Sequence, residues 1–158
     1  MSKNKVVLFD IDYTLFDTAF FKESGLLEHK IYEEVMQVLN NLNAVATLGI
    51  FSKGEVQFQK TKLDKTGMGK FFEENNIHIF DDKDVNLTSV LEKYKDSRIF
   101  LVDDKLRILY SAKKHMPQVF TIWVRRGPFA KIQKEIPGFT SDAEVVNLSE
   151  IVSIINRN

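Results

Sequence analysis

The sequence predicts an α/β domain with a doubly wound, parallel, five-stranded sheet, and three observations lead there. Five short apolar runs recur along the 158 residues without the alternation of a half-exposed strand, which marks strands covered on both faces. Stretches with apolar residues at three- and four-residue steps separate them, as crossover helices do in parallel sheets. Side chains able to do chemistry follow the apolar runs, at the sheet edge where such folds hold ligands.

The first strand is Val6-Val7-Leu8-Phe9, and Asp10-Ile11-Asp12 leaves its end. Strand alternation would put Asp10 and Asp12 on one face and turn Ile11 inward. Residues 15–25 have no clean period and read as a short excursion beside the strand end. From Leu27 the spacing of Ile31, Val35, Val38, Leu39 and Leu42 predicts a helix, closed near Asn43. Residues 44–51 form the second strand, ending at Ser52-Lys53-Gly54. Residues 55–65 predict a helix with Gly67 in its C-cap region, and Phe71-Phe72 opens a short turn. The third strand is Ile77-His78-Ile79-Phe80, before Asp81-Asp82-Lys83-Asp84. Leu87, Val90, Leu91 and Tyr94 share a helix face. The fourth strand, Ile99-Phe100-Leu101-Val102, runs into Asp103-Asp104, and Leu106, Leu109, Tyr110 and Ala112 mark the next helix. Residues 119–124 give the fifth strand, left by Arg125-Arg126-Gly127-Pro128. A last helix is expected over 150–155, with Ser149 as its N-cap.

This length suits one domain, residues 1–158, with a sizeable core. Formal net charge is zero, which gives no reason to expect bulk affinity for nucleic acid or anionic membrane. The absence of cysteine excludes disulfides and thiolate chemistry, and the apolar run near the N-terminus is too short for a signal sequence or membrane span. A cytoplasmic protein is expected.

In a parallel sheet the strand ends share one edge, so Asp10 and Asp12, Ser52, Lys83 and Asp103-Asp104 converge. Paired carboxylates held close need a compensating cation or proton, and an all-oxygen setting suits Mg²⁺. The chemistry these groups fit is phosphoryl transfer through a covalent intermediate. Asp10 is placed to attack phosphorus, and Asp12 to protonate the leaving oxygen and then deprotonate water. The Ser52 hydroxyl and the Lys83 ammonium can bind phosphoryl oxygens and neutralise charge. Asp104 is the best further metal ligand, with Asp103 supporting it or binding through water.

These residues resemble the haloacid dehalogenase superfamily of phosphohydrolases over nearly the whole chain. The D-x-D-x-[TV] motif is Asp10-Ile11-Asp12-Tyr13-Thr14, with Tyr13 where Gly is frequent. A strand ending in Ser or Thr is Leu48-Gly49-Ile50-Phe51-Ser52, and the acidic pair is Val102-Asp103-Asp104. Ser52-Lys53-Gly54-Glu55 with Gln59 and Lys62 is similar to the T-K-G-D…Q…K run of some members, in which the motif lysine has a context like Asp82-Lys83-Asp84. The resemblance implies Asp10 as nucleophile, Asp12 as acid/base and as a Mg²⁺ ligand through its backbone carbonyl, and a phosphatase rather than a halide-displacing enzyme. It also implies that a cap domain, common in the family, has no room here. An open site then suits a larger phosphorylated substrate, unless oligomerisation supplies cover for a small metabolite. A regulatory phosphate-binding domain is the alternative from another class.

Other residues have plainer readings. Phe20 and Phe21 are expected to pack the excursion onto the domain rather than form a platform for substrate. His29 and His115 lack metal-ligand spacing and read as surface residues, Lys113-Lys114 as a solvated helix end, Arg125-Arg126 as an exposed loop, and Trp123 as core.

Overall fold

The computed structural model describes residues 3–158; Met1 and Ser2 lie outside them. Its six strands are β1 (Lys5–Phe9), β2 (Thr47–Lys53), β3 (Ile77–Phe80), β4 (Arg98–Asp103), β5 (Phe120–Val124) and β6 (Ala143–Val145). They form one sheet in the order β3-β2-β1-β4-β5-β6, and every neighbouring pair is parallel. The strand beyond the expected five is β6. At three residues and with Glu144 exposed, it lacks the continuous apolar run that announces the inner strands.

Helices cover both faces: α1 (Thr18–Glu23), α2 (Val35–Asn43), α3 (Val56–Thr66), α4 (Lys83–Lys93), α5 (Leu106–His115), α6 (Pro128–Ile132) and α7 (Ile151–Arg157). Val7 and Phe9 of β1 pack with Phe100 and Val102 of β4 under α2 and α7. Val6 and Leu8 pack with Ile99 and Leu101 against α4 and α5. Each fully buried side chain of this size contributes roughly 1.5–3 kcal/mol. Burial on both sides explains why these strands do not alternate.

The sheet order places the site. Strands two and three build outward on one side of β1, and β4 returns to its other side. The C-terminal ends of β1 and β4 therefore flank the switch point at which such sheets open a crevice. Between β1 and β2 the chain holds only α1 and α2, and between β2 and β3 only α3 and two 3-10 turns, so no cap domain stands over that edge.

Local structure departs from expectation in three places. The helix expected from Leu27 begins only at Val35. Residues 27–34 instead run beside 15–17: the Asp17 N–H donates to the Lys30 carbonyl at 2.8 Å and the Tyr32 N–H to the Leu15 carbonyl at 3.1 Å. Phe16 and Ile31 form an antiparallel bridge there, so the helical spacing of Ile31 is coincidental. The second strand begins at Thr47, because Ala44 still caps α2. At the C-terminal end a 3-10 turn precedes α7, and Asn147 rather than Ser149 supplies the capping oxygen, accepting from the Ser149 N–H at 2.8 Å.

Gly49 of β2 pairs with Leu8 of β1 and backs onto the turn before β3. A Cβ there would lie 2.8 Å from Cδ2 of Leu8 and 2.9 Å from the main-chain oxygen of Asn76. The leucine methyl can rotate away, but the carbonyl cannot. We expect Gly49→Ala to destabilise the fold by about 2 kcal/mol, lowering the thermal midpoint by roughly 4–8 °C; a melt followed by circular dichroism checks this.

Candidate active site

The register of β1 on β4 builds the floor of the site. Phe9 pairs with Val102, and the Asp10 N–H donates to the Val102 carbonyl at 3.0 Å. Asp10 is thereby fixed beside Asp103 and Asp104. A tight turn follows, in which the Ile11 carbonyl accepts from the N–H groups of Leu15 at 3.0 Å and Phe16 at 2.9 Å. Tyr13 sits in this turn at a φ of +61°, in the left-handed region, which explains why glycine suits the position.

Asp10, Asp103 and Asp104 are buried, and a carboxylate oxygen from each lies within 4.8 Å of the others. Lys83, at the first turn of α4 and also buried, is the cation set against them. Its Nζ lies 2.6 Å from Oδ2 of Asp103 and 3.3 Å from Oδ1 of Asp10. Oδ1 of Asp103 accepts from the Lys105 N–H at 2.9 Å. Both oxygens of Asp104 are buried and accept no hydrogen bond. Trp123 Nε1 donates to the main-chain oxygen of Asp104 at 2.9 Å, which fixes the backbone there and leaves the carboxylate bare.

Charge follows from this arrangement. Burial, then the Asp103 carboxylate, pushes Asp10 up to about 6, with Lys83 pulling the other way. Burial, then Asp10 and Asp103, pushes Asp104 up to about 10. Burial works against the Lys83 ammonium, but Asp10 and Asp103 outweigh it and hold Lys83 above the usual lysine range. Three acidic groups facing one ammonium, one of them with unpartnered oxygens, match a hard divalent cation in charge and donor type. Asp10, Asp103 and Asp104 could hold it.

Asp12 has a separate shell. Lys62 Nζ lies 2.8 Å from its Oδ1, the Thr18 hydroxyl donates to the same oxygen at 2.9 Å, and Gln59 Nε2 donates to Oδ2 at 3.1 Å. Gln59 Nε2 also donates to the Ser52 hydroxyl oxygen at 3.0 Å, tying β2 to Asp12. Lys62 is buried among aromatic rings, with Phe58 at 4.8 Å and Phe16 at 5.1 Å from its Nζ. From sequence, Gln59 and Lys62 have no role beyond a shared motif run. Their i, i+3 spacing on the helix after β2 puts both on one face, but only the tertiary packing shows that this face covers Asp12.

The structure thus gathers Asp10, Asp12, Lys83, Asp103 and Asp104 at one edge and joins Ser52 to them through Gln59. Lys53 lines the same cleft. Arg126 is not the exposed loop residue expected, because its guanidinium is largely buried. It donates to the Thr14 carbonyl at 2.6 Å and to Glu34 at 2.7 Å, holding the turn after β1 from outside. Phe21 is core, as expected of packing, whereas His29 is half-buried with its ring 4.7 Å from that of Phe21. Lys113 is not merely solvated: it donates to the Val119 carbonyl and to Asp142.

A parallel sheet in this order, with carboxylates at the ends of its two central strands, defines a class of α/β acid-centred sites. Solved structures narrow the class. A haloacid dehalogenase-like hydrolase from Burkholderia xenovorans LB400 is similar at a TM-score of 0.82 and 23% identity, over 99% of this chain and 98% of that one. A HAD-hydrolase from Bacillus subtilis bound to magnesium matches at 0.74 and 15%, over 98% and 100%. A 2-haloacid dehalogenase from Pseudomonas syringae matches at 0.69 and 14%, over 97% and 98%. Neither family models nor curated protein sequences give a match. The chain has the haloacid dehalogenase-like fold.

The raised acids make stability depend on pH in a definite sense. A carboxyl whose folded pKa is raised binds a proton more tightly folded than unfolded, so its stabilisation is full below the unfolded value near 4. For the cation-free protein that stabilisation is lost as pH rises through about 6 for Asp10 and about 10 for Asp104. We expect millimolar Mg²⁺ to raise the thermal midpoint, and more at pH 8 than at pH 5. Asp104→Asn should raise the cation-free midpoint at pH 8 and abolish the Mg²⁺ shift; scanning fluorimetry at the two pH values reads both.

Proposed function

We propose that residues 1–158 form one hydrolase domain that cleaves phosphomonoesters through an aspartyl-phosphate on Asp10. The observation that carries this reading is Asp12, a second carboxylate opening into the same cleft as Asp10 but held by its own donors. An alkoxide leaving group must receive a proton, and Asp12 is there to give it. A halide leaves as a stable anion and needs none, so halide displacement would give Asp12 no work.

In the first step an Asp10 oxygen bonds to phosphorus, the ester P–O bond breaks, and the proton of Asp12 passes to the alcohol oxygen. In the second, Asp12 takes a proton from water, the water oxygen bonds to phosphorus, and the Asp10–phosphorus bond breaks to release phosphate. Lys83, already against Asp10, offsets charge on the nucleophile and the phosphoryl group. The Ser52 hydroxyl proton has only a long contact to the Lys53 carbonyl at 3.4 Å, which leaves it free for a phosphoryl oxygen. Asp10, Asp103 and Asp104, with the main-chain oxygen of Asp12, would hold a Mg²⁺ ion, which would supply positive charge to keep Asp10 ionised against its burial. A chain without cysteine fits a cytoplasmic setting.

The test is release of phosphate from a panel of phosphomonoesters, beside release of chloride from 2-chloropropionate, in the presence of Mg²⁺. Phosphate release should dominate. Asp10→Asn should lower it at least 10³-fold, on the order expected for loss of a nucleophile, and Asp12→Asn by roughly 10²–10⁴-fold. Chloride release with no phosphate release would overturn the reading in favour of dehalogenation. Phosphate binding without turnover of any ester would favour a regulatory binding domain.

A further inference from the structure

The cleft over Asp10 and Asp12 has a volume of about 490 Å³, and its walls are unlike its floor. Two aromatic pairs stand on it. Tyr13 and Phe129 meet edge-on with ring centres 6.0 Å apart, and Phe21 and Phe58 meet at 6.0 Å. Phe58 is carried by the helix after β2 and Phe129 by the helix after β5, and those strands lie on either side of β1 and β4. The pairs therefore face each other across the acidic floor.

Two features mark this wall as specified by the sequence rather than left over. Phe58 is 41% exposed and Phe129 42%, and both of these large rings line the cleft that opens over Asp10 and Asp12. Tyr13 holds a left-handed backbone, unfavourable for a side chain of its size, and its ring fills the space over Gly127. A Cβ at Gly127 would come within 2.8 Å of that ring. The glycine and the strained tyrosine fit one another, and together they set the wall that Phe129 extends.

We propose that this slot selects phosphomonoesters whose alcohol carries an aromatic ring, whether a phosphotyrosine side chain or a free arylalkyl phosphate. The inference rests on the phosphomonoesterase reading and deepens it. With phosphorus at Asp10, the alcohol must leave along the cleft between Phe58 and Phe129. A ring there buries both exposed phenylalanines and makes the edge and offset contacts that aromatic groups favour. A polyol would leave both rings wet, with its hydroxyls meeting the Lys22, Lys53 and Lys105 ammonium groups that also line the cleft.

The experiment compares kcat/KM for benzyl phosphate and glycerol 3-phosphate with Mg²⁺ present. Both leaving groups are primary alcohols, so the ratio reports recognition more than leaving-group acidity. Acetyl phosphate serves as a donor with no alcohol to recognise. Wild type should prefer benzyl phosphate at least ten-fold, and Phe58→Ala combined with Phe129→Ala should cut that ratio at least five-fold, mainly through KM. Phe58→Leu, which keeps apolar bulk but no ring, should fall between; if the double variant does not fold, the wild-type ratio and this variant decide. A tyrosine-phosphorylated peptide turned over ten-fold better than phosphotyrosine assigns the ring to a protein, and equal turnover assigns it to a small molecule, both within the proposal. Hydrolysis of acetyl phosphate with equal or inverted preference between the two esters overturns it. No hydrolysis of any of the three overturns the phosphatase reading beneath it.

Discussion

Three buried carboxylates against one buried ammonium is the constraint on which the rest of this structure depends. Asp10, Asp103 and Asp104 meet because β1 and β4 are neighbours whose ends are level, and Lys83 reaches them because α4 starts at the same edge. Leaving like charges together in a low-dielectric site is costly unless a cation or a proton intervenes. With all three ionised the imbalance is two charges, which is what a divalent ion carries. Strong packing on both faces of the sheet gives the fold enough stability to hold that imbalance in place.

The two acids at the end of β1 have diverged in environment although only one residue separates them. Asp10 faces acids and a lysine, and its affinity for a proton is raised by burial. Asp12 faces an ammonium, an amide and a hydroxyl, all donors. The turn after Phe9 makes this possible by swinging Asp12 away from the strand direction towards α1 and α3. Strand alternation alone, the argument available from sequence, would have put both in one setting. The donors around Asp12 suit the carboxylate that takes a proton from water in the second step, whereas Asp10 depends on a bound cation for the ionised form that attacks.

Much of this was legible in the sequence where buried strands and their exits were concerned. Val6 to Phe9 and Ile99 to Val102 are unbroken apolar runs, and the acids that follow them stand out against that background. Legibility failed where tertiary pairing overrode local pattern. Ile31 has helical spacing but is held extended by the pairing of residues 15–17 with 30–32. The edge strand at Ala143–Val145 is too short to show a period. Lys62 and Gln59 look like ordinary helix surface, because nothing local reveals that the face of α3 they occupy covers Asp12. The role of Arg126 depends on a partner more than ninety residues away.

The hydrogen bond from Trp123 to the main chain of Asp104 carries a last consequence. This chain has a single tryptophan, and its indole is attached to the residue whose carboxylate is left bare at the centre of the site. Any adjustment of Asp104 on taking up a cation is transmitted through one bond to the single indole of the chain, which can be excited apart from the tyrosines. The site carries its own optical probe, and occupancy of the acidic centre can be followed by intrinsic emission without labelling the protein or waiting for turnover.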